Sequence, residues 1–327
     1  MGFHRRELLL SIAGLLAGGR LAAFASGYPD RPIKLVVPFA AGGITDVLGR
    51  VWANGAAAEL GTIVIENRGG GGSMIGATEV ARASPDGYTL LVGNTSNQVL
   101  NPELMASPSF DAEKDLIPVA MFLTIPNVIV VSSSLPINNL KELAAFAREN
   151  PGKLSYGSAG VGTMTNLSGE LFKKLAGGLN IVHVPYRGGA PVIADLISGT
   201  LPIASLSVAA PLLELHNKGQ IRILCVEAEE RLKVAPELPT AAESGFPDLV
   251  VEVFNGIFAP RGTPQPVLNK VVAANAAAMK VPAVLEAIER VGGRPILSSD
   301  PKMAEAFVVA ERNRWRPIIR EIGIPKR

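Results

Sequence analysis

Residues 33–46 read IKLVVPFAAGGITD, a short β-branched run that is followed by a glycine loop and the start of a helix. A second segment of the same design, LSYGSAGVGTMTN, occupies residues 154–166. Each segment places glycines, small residues and hydroxyls between a predicted strand and a predicted helix. Because strand, loop and helix in this order form the unit of a parallel α/β sheet, the two segments predict two α/β units.

Outward from these segments, short apolar strands alternate with alanine-rich helices. Strands are predicted at 33–37, 63–65 and 88–92 in the first unit, and at 128–131, 154–156, 181–184 and 221–226 in the second. Unbroken apolar runs such as 35–37 are typical of strands that helices cover on both faces. We therefore predict two lobes, each a mainly parallel sheet flanked by helices.

The length of 327 residues also favours two lobes, since single cores seldom exceed about 250–300 residues. After residue 250 the chain has one extended segment and three helical stretches, too little for a third sheet, so we expect this tail to return to the first lobe. The predicted first lobe comprises residues 26–126 and 248–327, and the second comprises residues 127–247. Two crossings between the lobes predict a hinge.

The N-terminus, residues 1–25, has the pattern of an export signal. Arg5 and Arg6 precede an apolar stretch that glycines interrupt and that ends in an Ala-x-Ala type cleavage pattern. The arginine pair fits either the general secretory route or the twin-arginine route. Beyond residue 25, no segment has the length and apolarity of a membrane-spanning helix.

Charge and cysteine content exclude further classes of function. Removing residues 1–25 takes away three of the 31 basic residues and one of the 29 acidic ones, which leaves 28 of each. A neutral chain without a basic stripe is not expected to bind nucleic acid. The single cysteine, Cys225, lies within a predicted strand and is expected to be a buried small residue.

The two glycine loops predict a site for an anion. Glycine lets backbone N–H groups approach a ligand, and the first turn of a helix favours negative charge. For either loop alone, turns and helix caps at residues such as Thr45 or Asp46 are the simpler interpretation. One such loop in each lobe, however, favours a cleft with the two loops facing each other.

Motifs for catalysis, metals and cofactors are missing from the sequence. No glycine run ends in the Gly-Lys-Ser/Thr of a P-loop, and the dinucleotide pattern is absent. A hydrolase elbow has glycine two residues before its serine, where Ser158 has Tyr156. His183 and His216 are isolated, so zinc is not predicted. We expect a binding protein that has no cofactor and no metal, rather than an enzyme.

Five blocks of the sequence resemble the solute receptors of tripartite tricarboxylate transporters, also called the Bug or TctC family. The blocks are YPDRPIKLVVPFAAGGITD at 28–46, ENRGGGG at 66–72, SPDGYTL at 84–90, VPYRGGAP at 184–191 and APRGTP at 259–264. The resemblance runs from about Tyr28 to Ile324. It implies a periplasmic protein of the type II, Venus-flytrap kind, which closes on a small carboxylated solute and delivers it to a membrane carrier. We expect the protein to be a monomer.

The resemblance also implies that the two loops hold one carboxylate of the solute through backbone N–H groups, hydroxyls and waters. Carried over by position, the ligand-binding residues are Phe39, Ala41, Gly43, Thr45 and Asp46 in the first loop, and Ser158, Ala159, Gly160, Thr163 and Asn166 in and after the second. The chain departs from the family pattern at Asn166 and Gln98, where histidine is frequent, and at Leu206 and Ser207, which replace an acidic or amide pair. The identity of the solute therefore does not carry over.

Two alternatives remain open from the sequence. A periplasmic receptor that presents its solute to a signalling partner would have the same residues as one that serves a carrier. An exported α/β enzyme would need an acid, base or nucleophile in the cleft, and Asp46 is the one ionisable candidate; a helix cap or loop stabiliser is the favoured interpretation of that residue.

Overall fold

A computed structural model of the protein describes residues 27–324 and residue 326. The predicted export signal lies outside these residues. The strands are β1 Ile33–Val37, β2 Ile63–Asn67, β3 Thr89–Asn94, β4 Leu116–Ser132, β5 Leu154–Ser158, β6 Ile181–Pro185, β7 Ile203–Ser207, β8 Ile221–Val226, β9 Glu252–Pro260 and β10 Arg294–Pro295. The helices are α1 Ile44–Leu60, α2 Met74–Ala81, α3 Asn101–Leu104, α4 Leu140–Glu149, α5 Met164–Leu175, α6 Gly189–Ser198, α7 Ala210–Asn217, α8 Gln265–Ala278, α9 Pro282–Arg290 and α10 Pro301–Ile322.

The strands are hydrogen-bonded in the order β2-β1-β3-β9-β4-β7-β5-β6, and β8 and β10 also pair with β4. Strands β1, β2 and β3 are parallel, as are β5, β6 and β7, whereas β4 and β9 run antiparallel to their neighbours. Each lobe thus has a parallel three-stranded part joined to antiparallel strands, so the sheets are mixed. The predicted two-lobed α/β fold with flanking helices is confirmed.

Strand β4 belongs to both lobes. It pairs with β9 up to Pro126, which lies opposite Glu252, and with β7 from Asn127 onward. The sequence predicts only the second part of this strand, at 128–131. Its first part escapes prediction because Pro118 and Pro126 interrupt the apolar run, and proline is uncommon within central strands. The pairing of β4 with β9 shifts register in two places beyond Pro118, which accommodates that residue.

The C-terminal helices pack on the first lobe. Helix α8 lies against α1, where the indole Nε1 of Trp52 donates to Oδ1 of Asn275 at 2.9 Å. Gly55 allows this close approach, since a Cβ at that position would lie 2.9 Å from Cβ of Ala278. In β8, Cys225 is buried and free, as predicted. Within residues 27–324, no single helix is long and apolar enough to cross a membrane; only α8 and α9 together reach that length and composition, and they meet at a bend of 74°.

Candidate functional site

A cleft with about 100 Å³ of open space lies between the two lobes. Both glycine loops line it, together with the segments that follow β3, β7 and α9. The lining residues from the first lobe include Phe39, Gly43, Thr45, Asn94, Ser96 and Val253. Those from the second lobe include Ala159, Thr163, Thr165, Gly189, Leu206 and Ala209.

The first loop leaves the start of helix α1 open toward the cleft. Gly43 occupies the N-cap position, and no side chain accepts a hydrogen bond from the first turn there. Thr45 is only 7% exposed, yet its hydroxyl has no hydrogen-bond partner among the residues that the structure describes. An uncapped helix start beside an unpartnered buried hydroxyl supplies donors and a favourable dipole for an anion.

Asp46 supports this loop from behind. Its buried carboxylate accepts hydrogen bonds from the backbone N–H of Gly42 at 2.9 Å and from Nδ2 of Asn67 at 3.0 Å, and it pairs with Arg50 at 3.0 Å. Burial alone would raise the pKa of Asp46, but the hydrogen bonds from Arg50, Gly42 and Asn67 outweigh it and lower that pKa. The residue does not line the cleft, and its ionised side chain shapes the loop.

The second loop uses its own hydroxyls to hold its shape. Oγ1 of Thr163 donates to the carbonyl of Gly160 at 2.7 Å and accepts from the N–H of Asn166 at 3.3 Å, which caps helix α5. Oγ1 of Thr165 accepts from the N–H of Ala159 at 2.9 Å. The two loops, similar in sequence, therefore differ in structure: the first helix start is open and the second is capped.

His183 supports the second loop and is neutral. Its Nε2 lies 2.7 Å from Oγ of Ser158, its Nδ1 lies 3.4 Å from Nδ2 of Asn166, and its ring stacks on Tyr156 with centroids 4.8 Å apart. Burial lowers the pKa of His183 to about 4. Because Asn166 offers an N–H to Nδ1, the ring carries its proton on Nε2 and donates to Ser158.

A second uncapped helix start lies beside the first. Helix α6 begins after Gly188 without a side-chain cap, and Gly189 lines the cleft. The backbone nitrogen of Gly189 would lie 3.8 Å from a Cβ built on Gly43. The starts of α1 and α6, which come from opposite lobes, thus meet at one end of the cleft and concentrate positive potential there.

The lobes are in contact around the cleft. The N–H of Ala40 donates to the carbonyl of Arg187 at 3.2 Å, and the N–H of Met164 donates to Oγ of Ser96 at 3.1 Å. Nδ2 of Asn101 in the first lobe lies 3.0 Å from the carbonyl of Gly162 in the second. These contacts describe a closed arrangement of the two lobes.

Half of the ten residues carried over from the resemblance line the cleft. They are Phe39, Gly43, Thr45, Ala159 and Thr163. The others, Ala41, Asp46, Ser158, Gly160 and Asn166, belong to the two loops or support them and do not line the cleft. Gln98 is buried beneath the cleft, where its Nε2 donates to Oδ1 of Asn97 at 2.9 Å, so its side chain is not among the lining groups.

Sequence reasoning missed the polar pair Asn94 and Ser96. Both line the cleft at the end of β3, where Oδ1 of Asn94 accepts from the N–H of Ser96 at 3.0 Å. The polar run after an apolar strand, at 94–98, was the available signal. Among residues 27–324, no group of three or more His, Cys, Asp or Glu could hold a metal ion.

Two α/β lobes that share crossing strands and close on a cleft with open helix starts define a solute-binding protein. Residues 48–324 match the family model of the tripartite tricarboxylate transporter family receptor, TctC. The chain therefore belongs to this family of periplasmic solute receptors, and it is a receptor for a transporter of that type.

Curated relatives agree with this assignment. The chain is 36% identical to a UPF0065 protein of Bordetella pertussis, over 98% of each chain. It is 33% identical to protein BugT of the same organism, over 96% of this chain and 97% of BugT.

Solved structures show the same fold. The periplasmic binding protein BugD superposes with a TM-score of 0.88 at 32% identity, covering 92% of this chain and 100% of BugD. MatC from Rhodopseudomonas palustris, solved with bound malate, gives a TM-score of 0.84 at 31% identity, covering 89% and 100%. A second R. palustris protein, solved with adipate, gives 0.86 at 32% identity, covering 91% and 99%.

Proposed function

We propose that the protein binds a small carboxylated solute in the cleft and delivers it to the membrane carrier subunits of a tripartite tricarboxylate-type transporter. The observation that carries this proposal is the open start of α1 with the unpartnered hydroxyl of Thr45 beside it. A carboxylate placed there gains backbone N–H donors, a hydroxyl donor and the helix dipole. The malate and adipate complexes of the two R. palustris proteins support a carboxylate as the recognised group.

In the proposed site, some residues face the solute and others hold the two loops in shape. Phe39, Gly43 and Thr45 face the solute from the first lobe, and Ala159 and Thr163 face it from the second. Ala41, Asp46, Ser158, Gly160 and Asn166 keep the two loops in shape. An uncharged cradle suits a receptor that must release its solute, because pairs of arginine and carboxylate are roughly twice as strong as neutral hydrogen bonds.

Binding is coupled to hinge closure between lobes of residues 26–126 with 248–327 and residues 127–247. The change of pairing partner along β4 between Pro126 and Asn127 supports the first boundary, and the start of β9 at Glu252 supports the second. A solute that contacts both lobes favours the closed state because only that state offers both sets of contacts.

The working form of the receptor is proposed to be a monomer in the periplasm that catalyses no reaction. Export uses the signal at residues 1–25 by the general secretory or the twin-arginine route. The lining residues that the structure describes include no acidic or basic side chain, which supports a binding role. Asp46, the one ionisable candidate, is engaged with Arg50 behind the loop.

Isothermal titration of the folded protein with mono-, di- and tricarboxylates tests the proposal. At least one carboxylate should bind, and Thr45→Val should weaken it about tenfold or more, since a hydrogen bond to a charged group contributes about 1.5–3 kcal/mol. Thr62→Val, at an exposed position between α1 and β2, is the matched control. Thr163→Val should weaken binding and also lower stability, because it removes the cap of α5. Folded protein that binds no carboxylate would contradict the proposal.

A further inference from the structure

We infer that the solute is a monocarboxylic acid with an apolar body. This inference rests on the proposed function and narrows it. It follows from three features of the cleft: the charges that are missing from its lining, the apolar surface beside the strand crossing, and the few donors that the start of α7 offers.

The first feature is the charge of the cleft. Among the lining residues that the structure describes, none carries an ionisable side chain. One carboxylate is accommodated by the starts of α1 and α6 and by Thr45. A second carboxylate would have to leave water without a cation to meet it, and burying an unpaired charge is far more costly than burying a neutral polar group.

The second feature is the lining on the side where the strands cross between the lobes. Val253 of β9 pairs with Ile125 of β4, and Ala209 follows β7 directly. Together with Leu212 and Val291, they give this side of the cleft an apolar surface. Leu206 extends the apolar lining as far as the start of α6, since its Cδ2 lies 3.5 Å from a Cβ built on Gly189. A solute gains binding free energy from these side chains only if it places hydrocarbon against them. The gain is about 25 cal/mol per Å² of apolar area buried.

The third feature is that helix α7, which begins on this side, has few donors to offer. Pro211 lacks an N–H, and the N–H groups of Leu212 and Leu213 already donate to the carbonyl of Ala209 at 2.9 and 3.2 Å. Nearby, the hydroxyl of Ser207 donates to Oδ1 of Asn127 at 2.8 Å. The start of α7 has no side-chain cap either, but because of Pro211 and these two bonds it offers a second anionic group fewer N–H donors than the start of α1.

The remaining polar groups of the cleft are engaged through their acceptor atoms. Oγ of Ser96 accepts from the N–H of Met164, and Oδ1 of Asn94 accepts from the N–H of Ser96. Both side chains are neutral. Ser96 links the two lobes, and Nδ2 of Asn94, which donates to no described residue, supplies a neutral donor and not the cation that would compensate a second full charge.

The size of the cleft sets the size of the solute. Its open space of about 100 Å³ accommodates roughly seven to ten water-sized groups. Hexanoate and benzoate are of this size. Their counterparts with a second carboxylate on the same carbon skeleton, adipate and terephthalate, isolate the effect of the added charge.

Titration of the full-length mature protein with these two pairs, and with acetate, tests the inference. Hexanoate or benzoate should bind at least about tenfold more tightly than its dicarboxylate counterpart and than acetate. Dicarboxylate binding that equals or exceeds monocarboxylate binding would overturn the inference, while the proposed function would stand. Acetate binding as tight as hexanoate binding would likewise overturn the apolar body.

Two further outcomes concern the proposed function itself. If none of these carboxylates binds to folded protein, the inference fails, and the proposed function fails with it only when the wider panel of mono-, di- and tricarboxylates does not bind either. Hexanoate binding that Thr45→Val leaves unchanged would overturn the proposed site and the inference that rests on it, because the carboxylate would then lie elsewhere.

A variant with an added cation tests the same idea in reverse. Val291 lies at the end of α9 and lines the cleft, so Val291→Lys places an ammonium group on the apolar side, where the C-terminal end of a helix tolerates it. The ratio of adipate to hexanoate affinity should rise at least about tenfold. Leu297→Lys, at a position 61% exposed, should leave the ratio unchanged. An unchanged ratio in folded Val291→Lys protein would overturn the inference. If that variant does not fold, the titrations of the wild type with the paired mono- and dicarboxylates decide whether the inference holds.

Discussion

Gly188 of the second lobe packs against Ala40 of the first so closely that a Cβ on Gly188 would lie 3.0 Å from the backbone nitrogen of Ala40. The nearest atoms to that position all belong to Ala40, and the adjacent carbonyl of Arg187 accepts from the same nitrogen. Backbone meets backbone at this edge of the cleft, and residues with a side chain rarely adopt the φ of +158° that Gly188 has, so a side chain at Gly188 would strain its own loop and separate the lobes.

Gly188→Ala is therefore expected to hinder closure. Affinity for the bound carboxylate should fall about tenfold or more, because closure supplies the second half of the contacts. The thermal unfolding midpoint without solute should also fall, by about 2–10 °C, because the strained backbone costs roughly 1–3 kcal/mol. Titration calorimetry measures the affinity, and thermal unfolding measures the midpoint. Small-angle scattering with saturating solute measures how far the lobes close. Gly27→Ala, which meets no atom within 4 Å, is the control. Wild-type affinity in Gly188→Ala would show that this contact does not limit closure.

The support of the first loop by Asp46 gives a second prediction. Asp46→Asn should lower the free energy of unfolding at pH 7 by about 1–3 kcal/mol, because the buried site loses its charge-assisted hydrogen bonds. The pKa of Asp46 is lowered in the folded protein, so its stabilising effect is complete above the ordinary pKa of an aspartate and is lost as pH falls through the folded value. Urea unfolding at pH 7 and pH 3 should show the difference shrinking at low pH.

The exposed Asp248→Asn is the matched control for this charge change. It should leave the free energy of unfolding within about 0.5 kcal/mol of the wild type at both pH values. A stability of Asp46→Asn that equals the wild type at pH 7 would mean that the carboxylate does not hold the loop.

The sequence predicts the two loops of the site, but it does not predict which loop leaves its helix start open and which loop caps it. Both loops have glycines and hydroxyls between a strand and a helix, and both precede helices that the structure contains. Whether a hydroxyl faces the cleft depends on its partners: Thr163 caps its own helix, whereas Thr45 has no such bond. Backbone conformation decides this, and the residue types at the two positions are the same.

Contacts from distant parts of the chain are a further limit of sequence-based prediction. Ser96 reaches the site through its bond to Met164, 68 residues away in the chain, and no local pattern specifies that pairing. The sequence does not predict strand β7 because its residues, IASLS, lack the β-branched run typical of a strand. The apolar side of the cleft, to which Leu206 in this strand contributes, is visible only in the fold.

The buried side chain of His183 should make the free energy of unfolding depend on pH. Burial lowers the pKa of His183 to about 4 in the folded protein, from 6.5. Between these values the unfolded chain binds more protons than the folded one, so this residue makes the free energy of unfolding fall as pH is lowered from about 6.5 to about 4. His183→Gln should remove this contribution, and urea unfolding at several pH values measures it. An identical pH profile in the variant would contradict a buried neutral histidine.

Glu227 should make the free energy of unfolding depend on pH with the opposite sign. Its side chain is fully buried. Its backbone N–H donates to the carbonyl of Asn127 at 2.8 Å, which places the residue next to the strand crossing. Oε1 accepts from the hydroxyl of Ser168 at 2.7 Å, whereas Oε2 has no hydrogen-bond partner among the described residues. Burial raises the pKa of Glu227 to about 8, against the smaller opposing effect of Ser168. The folded protein therefore keeps this carboxyl protonated at neutral pH.

Between pH 4.5 and about 8 the unfolded chain has lost the proton that the folded protein still holds, so this residue makes stability fall as pH rises through that range. Glu227→Gln keeps the size of the side chain and cannot ionise. At pH 8 it should be more stable than the wild type by roughly 2–4 kcal/mol, since one pKa unit corresponds to about 1.4 kcal/mol, and near pH 4 the two should be equal. Urea unfolding across this range decides between this account and an ionised Glu227, for which the variant would be the less stable protein at pH 8.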